Sequence, residues 1–253
     1  WLWGIKLKAV AVIQTRMGST RFPGKVMVKL NEKYKVLDYV INQLRFSKSI
    51  KNLIIATTYF EQDDVIVKYA KENGLEYFRG EPLDVLDRYY KCAKEFSLET
   101  IVRITSDAPF LDPTIVDKVI SKFQETGCDF ASNNLIRTFP AGFDAEVFSR
   151  QALERTWREA KLPSEREHVT PYFYKNKEIF RQTSIENSED LSRFRCTVDT
   201  KYDLELIQKI YSNIKKRPIL LYDVIKLLKA NPELVKINAH AKADGYIKSL
   251  KED

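Results

Sequence analysis

The sequence predicts an α/β protein with a doubly wound, mostly parallel sheet and helices on both faces of that sheet. Short β-branched apolar runs at 9–13, 52–57 and 100–104 alternate with longer stretches of helical spacing. Such runs are typical of strands buried on both faces, and strand–helix alternation predicts parallel strands joined by crossover helices. No repeat and no long linker divides the 253 residues, so we predict one domain over 1–253.

The first half of the chain supplies most of this alternation. Helical spacing predicts helices at 37–46, 63–72 and 85–95 between these strands, and a fourth helix at 112–125 after the third strand. A further short strand is predicted at 76–78. Asn73 and Gly74 supply a glycine C-cap to the second helix, and Asp112 followed by Pro113 starts the fourth. These end signals agree with the periodicity.

The second half changes character after residue 128. Two extended segments occupy 129–148, and strands are predicted at 181–185 and 194–198. Helices are predicted at 151–160, 200–214 and 222–230, and capping boxes are predicted at 164–167 and 200–203. We therefore predict that residues 129–185 form an inserted β-rich subregion.

Composition bounds the class of protein. The chain is 44% hydrophobic and carries 42 Lys and Arg against 35 Asp and Glu, a net charge of +7. A sizeable core is expected, which excludes disordered and collagen-like proteins. The excess charge permits an anionic partner or a solvated basic surface. The sequence contains no basic stripe interleaved with aromatic residues, so it does not predict nucleic-acid binding. It also contains no apolar run long enough to predict a membrane span.

The cysteines and histidines indicate the compartment and the kind of metal. Cys92, Cys128 and Cys196 are far apart and include no C-x-x-C pair, so a reducing cytoplasm is the expected location. His168 and His240 are the two histidines of the sequence, which argues against a histidine-rich metal site. Any metal is expected to be a hard cation held by carboxylates and phosphates.

A basic loop follows the first strand. The sequence QTRMGSTRFPGK at 14–25 places Arg16, Arg21 and Lys25 beside two glycines and several hydroxyls. Glycines let the backbone approach an anion closely, and the cations neutralise it. The loop is not a P-loop, since five residues separate Gly18 from Gly24. A phosphate cradle and a solvated basic turn both remain open from the pattern alone.

Two aspartates follow predicted strands. Asp107 comes after the run at 100–104 and Asp199 after the run at 194–198. Ligands of open α/β sheets bind beyond the carboxyl ends of strands. Structural roles remain open, because Asp107 could cap a turn before Pro109 and Asp199 could lie beside a helix N-terminus. Together with the basic loop, the pair would hold Mg²⁺ and a polyphosphate, which suits nucleotidyl transfer.

Six stretches in order resemble the cytidylyltransferase superfamily that includes CMP-KDO synthetase and acylneuraminate cytidylyltransferase. They are AVIQTRMGSTRFPGK at 11–25, FRGEPLDVLDRY at 78–89, VRITSD at 102–107, FDAEVFS at 143–149, REHVTP at 166–171 and CTVDT at 196–200. The resemblance covers about 9–214 and is strongest to the branch of spore coat polysaccharide biosynthesis protein F.

The resemblance implies a nucleotide-diphospho-sugar transferase-like fold, CTP as substrate, Mg²⁺ as cofactor and, commonly, a homodimer. It also implies that the segment from Asn133 to His168, within the inserted subregion at 129–185, shapes the acceptor pocket and the dimer contact. It implies a catalytic group of Arg16, Lys25 and Asp107, and the metal ligands Asp107 and Asp199. The residues expected to bind the nucleotide are Arg16, Gly18, Ser19, Arg21, Lys25, Thr57, Arg79 and Ser106.

The residues expected to bind the acceptor are Arg103, Asp144, Glu146, Arg166 and His168. Asp144 and Glu146 alternate along a predicted strand and would share one face, either in the acceptor pocket or in solvent. CMP-KDO synthetases have glutamine and glycine where this chain has Thr105 and Ser106, so the acceptor is expected to differ from KDO.

The predicted function is transfer of CMP from CTP to an acidic sugar in surface polysaccharide biosynthesis, with release of pyrophosphate. The alternatives keep the fold: a glycosyltransferase, or a sugar-phosphate nucleotidyltransferase that uses another nucleotide. A glycosyltransferase usually holds its metal with a D-x-D motif, and DAE at 144–146 is a poor match.

Overall fold

A computed structural model describes residues 9–241 and 245–253, and this part of the chain is built on a seven-stranded sheet. The spatial order of the strands is β3-β2-β1-β4-β6-β5-β7. Strand β6 runs antiparallel to both of its neighbours, whereas the other pairings are parallel, so the predicted mostly parallel sheet is confirmed. The bounds are β1 Ala9–Gln14, β2 Ile50–Thr58, β3 Glu76–Gly80, β4 Thr100–Thr105, β5 Phe130–Ser132, β6 Glu146–Ser149 and β7 Gln182–Ser184.

Eleven helices accompany the sheet within the described ranges. Their bounds are α1 Val36–Leu44, α2 Asp64–Glu72, α3 Val85–Glu95, α4 Pro113–Thr126, α5 Arg150–Glu159, α6 Pro163–His168, α7 Pro171–Lys175, α8 Lys201–Asn213, α9 Leu221–Ala230, α10 Pro232–Lys236 and α11 Gly245–Ser249. Asp112 caps α4 by accepting from the Thr114 amide at 2.8 Å, as predicted. Among the residues described, none of the helices is long and apolar enough to cross a membrane.

Helices cover both faces of the sheet because side chains of each central strand alternate between two cores. Ile13 and Ile55 point into one core, which α1, α2, α4, α8 and α9 close. Val12 and Ile54 point into the other core, which α3, α5 and α7 close. Runs of apolar residues without polar alternation are what strands buried on both faces require. The predicted doubly wound arrangement is therefore confirmed.

The segment predicted as a β-rich insertion contributes to the same sheet. Its strands β5, β6 and β7 lie beyond β4 and extend the sheet to one edge. Helices α5, α6 and α7 also fall within 129–185. The segment is thus a continuation of the central sheet together with three helices.

Two local predictions are wrong. Residues 194–198 form no strand, because the backbone amide of Cys196 bonds to Ala141 and that of Val198 bonds to Asp107, so no ladder develops. Asp144 lies before β6 rather than within it, so Asp144 and Glu146 do not share a strand face.

The capping box predicted at 164–167 is shifted by two residues. Helix α6 starts at Pro163, and the Glu165 carboxylate accepts from the backbone amide of Leu162. Ser164 lies inside the helix and bonds to Asp253 at the other end of the chain. The box predicted at Thr200–Asp203 is confirmed.

Gly142 is required where the β5–β6 connection passes the segment before α8. Its φ is +99°, and a Cβ would lie 2.8 Å from the carbonyl carbon and oxygen of Cys196. We expect Gly142→Ala to lower the free energy of unfolding in urea by about 2 kcal/mol or more, from backbone strain and overlap together. Gly127→Ala is the matched control, since φ there is +59° and its Cβ would meet nothing within 4 Å. Equal losses in the two variants would contradict the overlap.

Candidate active site

A polar cavity of about 300 Å³ opens at the carboxyl ends of β1 and β4. These strands lie side by side at the middle of the sheet, where the connections leave in opposite directions, a position typical of ligand sites in open α/β sheets. A larger cavity, of about 640 Å³, lies near α1 and Tyr211, but no carboxylate lines it. The smaller cavity is lined by Gln14, Thr15, Arg16, Ser19, Thr20, Arg21, Lys25, Val26, Val85, Arg88, Arg103, Thr105, Ser106, Asp107, Glu167, His168, Asp199 and Lys248.

The basic loop after β1 is held by a buried aspartate that the sequence did not single out. Asp63 accepts a hydrogen bond of 2.7 Å from the Met17 amide and another from the Thr58 hydroxyl. The Gly24 amide donates to the Met17 carbonyl at 2.8 Å and closes the loop. Gly24 has a φ of +71°, which a glycine adopts without cost, and Lys25 follows in a short 3₁₀ turn. The loop is therefore preorganised.

Lys25 contacts both Asp107, which follows β4, and Asp199, which precedes α8. Its Nζ donates to Asp107 Oδ2 at 2.6 Å and to Asp199 Oδ1 at 2.9 Å. Arg21 also donates to Asp199 Oδ1, at 2.8 Å. The Lys25 ammonium therefore lies between the carboxylates of Asp107 and Asp199 and contacts both of them. The expected convergence of the basic loop with Asp107 and Asp199 is therefore present, although only Asp107 follows a strand.

Backbone contacts fix the distance between the two aspartates. The Asp107 carbonyl accepts from the Val198 amide at 2.8 Å, which ties the loop after β4 to the segment before α8. The Asp199 amide donates to the Asp203 carboxylate, which is fully buried and also pairs with Arg195. Asp203 thus anchors the start of α8, and Asp199 projects from that anchored turn into the cavity.

The charges of this cluster stabilise one another. Burial alone would lower the pKa of Lys25, but Asp107 and Asp199 outweigh it, so the pKa is raised. Burial would raise the pKa of Asp107, yet the Lys25 ammonium holds that pKa below its usual value. Both groups are consequently ionised at neutral pH.

Asp107 and Asp199 are the two carboxylates of the lining that contact one cation together, and they could hold a hard metal ion; Glu167, which also lines the cavity, pairs with Arg16. No group of three or more His, Cys, Asp or Glu within the described part of the chain could hold a metal ion by itself. Nucleotide sites commonly bind Mg²⁺ through one or two carboxylates, with phosphates and water completing the shell. The donor set therefore fits a nucleotide-bound magnesium ion.

Arg103 lies in the floor of the cavity and is held by a buried carboxylate. It donates from Nε to Gln14 Oε1 at 3.0 Å and pairs with Glu146, which is 2% exposed. Glu146 also accepts from Thr170 at 2.9 Å and from Tyr174. Burial raises the pKa of Tyr174, and Glu146 raises it further, so the phenol stays a donor. Glu146 therefore supports Arg103 from beneath the cavity.

The structure brings many of the residues proposed from sequence into this lining. They are Arg16, Ser19, Arg21, Lys25, Arg103, Ser106, Asp107, His168 and Asp199. Arg16 forms an ion pair of 3.7 Å with Glu167, and His168 Nε2 lies 2.9 Å from the Ser249 hydroxyl. Burial lowers the pKa of His168, although Glu167 opposes this.

Six of the proposed residues lie outside the lining: Gly18, Thr57, Arg79, Asp144, Glu146 and Arg166. Arg79 pairs with Asp64 at 2.6 Å and bonds to the carbonyls of Thr58 and Phe60, which fixes the β2–α2 connection. Thr57 is fully buried within β2.

The remaining three acidic and basic side chains of that set have partners elsewhere. Asp144 pairs with Arg137 at 3.0 Å, in the turn before β6. Arg166 pairs with Asp84 at 2.5 Å and donates to the Trp157 carbonyl. Glu146 acts only through Arg103, as described above. Two of these pairings join residues far apart along the chain, by 82 positions for Arg166 with Asp84 and by 43 for Glu146 with Arg103, so sequence patterns gave no indication of them.

Sequence reasoning missed two cations of the lining. Arg88, on α3, is 1% exposed, although its helix position next to charged residues is typical of a surface cation. Lys248 belongs to α11, near the end of the chain. Helix α11 packs on α6, where the Ser249 hydroxyl donates to Glu167 at 2.5 Å. The DVLDRY stretch at 84–89 was a signal for Arg88, but no role was attached to that arginine.

Comparison with known proteins gives the family. The model of a family described as Cytidylyltransferase matches residues 10–233. The chain belongs to the cytidylyltransferase family. A cytidylyltransferase structure from Leptospira borgpetersenii is 35% identical and superposes with a TM-score of 0.86, over 90% of this chain and 97% of that one. The resemblance noted from the sequence motifs is therefore confirmed.

Curated relatives of this cytidylyltransferase include a polysaccharide biosynthesis protein and a sugar-acid cytidylyltransferase. Spore coat polysaccharide biosynthesis protein SpsF of Bacillus subtilis is 34% identical, over 88% of this chain and 94% of that protein. A 3-deoxy-manno-octulosonate cytidylyltransferase of Solibacter usitatus is 28% identical, over 88% and 96% respectively. A CMP:2-keto-3-deoxy-manno-octonic acid synthetase solved with CTP is 15% identical, with a TM-score of 0.61 over 81% of this chain and 99% of that one, and shares the fold.

Proposed function

We propose that this cytidylyltransferase transfers CMP from CTP, bound as its Mg²⁺ complex, to an anionic sugar-like acceptor. The acceptor oxygen forms a bond to the α-phosphorus of CTP, the bond to the β-phosphate oxygen breaks, pyrophosphate leaves, and the acceptor hydroxyl loses its proton. The observation that carries the proposal is the shared contact of Lys25 with Asp107 and Asp199 at the edge of the sheet.

The basic loop supports the choice of a triphosphate donor. Nucleotidyl transfer builds negative charge on the bridging and leaving oxygens, and fixed cations near those oxygens stabilise it. Lys25 and Arg21 are held in place by the aspartates, and Arg16 lines the same cavity. These cations are positioned before any substrate binds, so little reorganisation is needed during the reaction.

The proposed metal site uses Asp107 and Asp199. When bound there with the phosphates, Mg²⁺ would neutralise phosphate charge. The two carboxylates already hold the Lys25 ammonium between them, so they are oriented toward a shared cation.

The acceptor side is proposed to lie toward Arg103 and His168, which line the cavity away from the metal pair along β4 and α6. A buried arginine beside a histidine suits a carboxylate-bearing sugar. The relative that acts on 3-deoxy-manno-octulosonate supports a sugar acid, and the SpsF relative supports a role in polysaccharide synthesis. We further propose a cytoplasmic homodimer, and the three free, buried cysteines agree with a reducing compartment.

A screen of nucleotides and acceptors tests the proposal. With Mg²⁺, CTP is expected to raise the melting temperature more than UTP, GTP or ATP, because a ligand stabilises the folded state that binds it. Pyrophosphate should then be released in the presence of a ulosonic or nonulosonic acid. Preference for another nucleotide would favour a sugar-phosphate nucleotidyltransferase, and sugar transfer from a nucleotide sugar without pyrophosphate would favour a glycosyltransferase.

A further inference from the structure

Arg88 is a buried cation that lacks a carboxylate partner. It is 1% exposed, and its guanidinium bonds to the carbonyls of Glu81 and Pro82 at 2.7 to 3.1 Å. No carboxylate of the residues described at 9–241 and 245–253 lies within ion-pair distance of it. Burying a charge without an opposite charge is unfavourable, so proteins normally pair such groups.

Three other cations, whose side chains are only 11–13% exposed, have carboxylate partners. Lys25 is held by two aspartates, Arg103 pairs with Glu146, and Arg195 pairs with Asp203. Arg88 differs from all three in having only neutral acceptors. Burial lowers the pKa of Arg88 to about 10, and the positive charge of Arg16 contributes in the same direction.

Arg16 makes the charge imbalance larger. Its guanidinium donates to the Pro82 carbonyl at 3.3 Å, which is the same carbonyl that Arg88 reaches. Two guanidinium groups therefore meet on one oxygen, and both line the cavity. The partner of Arg16, Glu167, is 3.7 Å away and forms no shorter contact with it.

The fold makes room for the Arg88 side chain. Gly80 ends β3 against it, and a Cβ at Gly80 would lie 2.9 Å from Arg88 Cγ. The arginine is thus accommodated within the packed α3–β3 contact, although a neutral donor would satisfy the same carbonyls. A role in bonding the Glu81–Pro82 backbone accounts for the hydrogen bonds but not for the charge.

We infer that Arg88, together with Arg16, forms a second oxyanion subsite of the cavity, separate from the cluster of Lys25 and the two aspartates. The subsite receives an oxyanion of a bound substrate, which is either a phosphate of CTP or the carboxylate of the acceptor. This inference rests on the proposed function for the identity of those substrates. Guanidinium groups bind both anions through paired hydrogen bonds.

Calorimetric titration of the full chain with three probes tests the inference. The probes are CTP with Mg²⁺, pyrophosphate, and 3-deoxy-manno-octulosonate. Arg88→Met is expected to weaken binding of at least one probe by about tenfold or more, as loss of a charge-assisted contact does. Arg88→Lys should recover part of that loss. Weaker binding of CTP and pyrophosphate assigns the subsite to phosphate, and weaker binding of the sugar acid alone assigns it to the carboxylate.

Lys91→Met is the matched control, because it removes one positive charge from the exposed side of the same helix. It should leave all three affinities within about twofold. Arg88→Gln, which keeps a donor for the Glu81 carbonyl, is measured beside Arg88→Met. Circular dichroism and melting report the folding of each variant.

The outcomes separate the inference from the proposed function. Folded Arg88→Met protein that binds all three probes like the wild type overturns the subsite, while CTP binding still supports the function. Wild-type protein that binds pyrophosphate in an Arg88-dependent manner, but not CTP, keeps the subsite and overturns the function. If neither Arg88→Met nor Arg88→Gln folds, or if the wild type binds no probe, the inference is overturned.

Discussion

Replacing Asp107 by Asn is expected to lower the rate of pyrophosphate release by about 100-fold or more, the range seen when one preorganised electrostatic group is lost. The Asp107 carboxylate holds Lys25 Nζ at 2.6 Å and is one of the two proposed ligands of Mg²⁺. The amide retains the shape but not the charge. Loss of the negative charge therefore affects both the positioning of Lys25 and the affinity for Mg²⁺.

Rates measured against CTP and Mg²⁺ concentration distinguish these effects. Asp107→Asn and Asp199→Asn should both raise the Mg²⁺ concentration needed for half-maximal rate. The fold should persist, because the backbone contact of Asp107 with Val198 does not use the carboxylate. Asp190→Asn removes one exposed negative charge that is not part of the cavity lining and should keep the wild-type rate. A folded Asp107→Asn protein with unchanged turnover would refute the assignment.

The alternation of strands and helices allowed much of this fold to be predicted. Strands buried on both faces have continuous apolar sequences, and the helix ends carry chemical signals such as Asp112–Pro113. Asp107 could be placed at the cavity because it follows β4 directly. Asp199 was placed there for an incorrect local reason, since it follows an irregular segment rather than a strand.

Charge pairing was the part that could not be predicted. Whether an arginine is solvated, paired or buried alone depends on partners that the fold brings from far along the chain. Arg79 and Arg166 looked like ligand-binding groups and instead hold loops through Asp64 and Asp84. Arg88 received no role from the sequence and is buried in the cavity wall. Periodicity reports which face a residue occupies, not which charge it meets.

Arg103 depends on Glu146 for its counter-charge. Glu146→Gln is expected to lower the free energy of unfolding by about 3 kcal/mol, because it leaves a buried guanidinium without its counter-charge. Burial would lower the pKa of Arg103, but Glu146 outweighs burial and raises it. Glu146→Gln removes that support, yet an arginine keeps its proton in proteins, so the guanidinium stays charged and loses its counter-charge. Urea denaturation monitored by circular dichroism measures the loss.

Two further variants show whether burial causes this effect. Glu99→Gln breaks an exposed ion pair with Arg150 of 2.8 Å and should cost less than about 1 kcal/mol. The double variant Arg103→Met with Glu146→Met removes both charges and should recover much of the stability lost in Glu146→Gln, since no unpaired charge remains. The double variant should nevertheless bind a sugar acid weakly, because it has no arginine at position 103 to contact the carboxylate. If Glu146→Gln costs no more than Glu99→Gln, the buried pair is not the support of this wall, and Arg103 must be oriented mainly by Gln14.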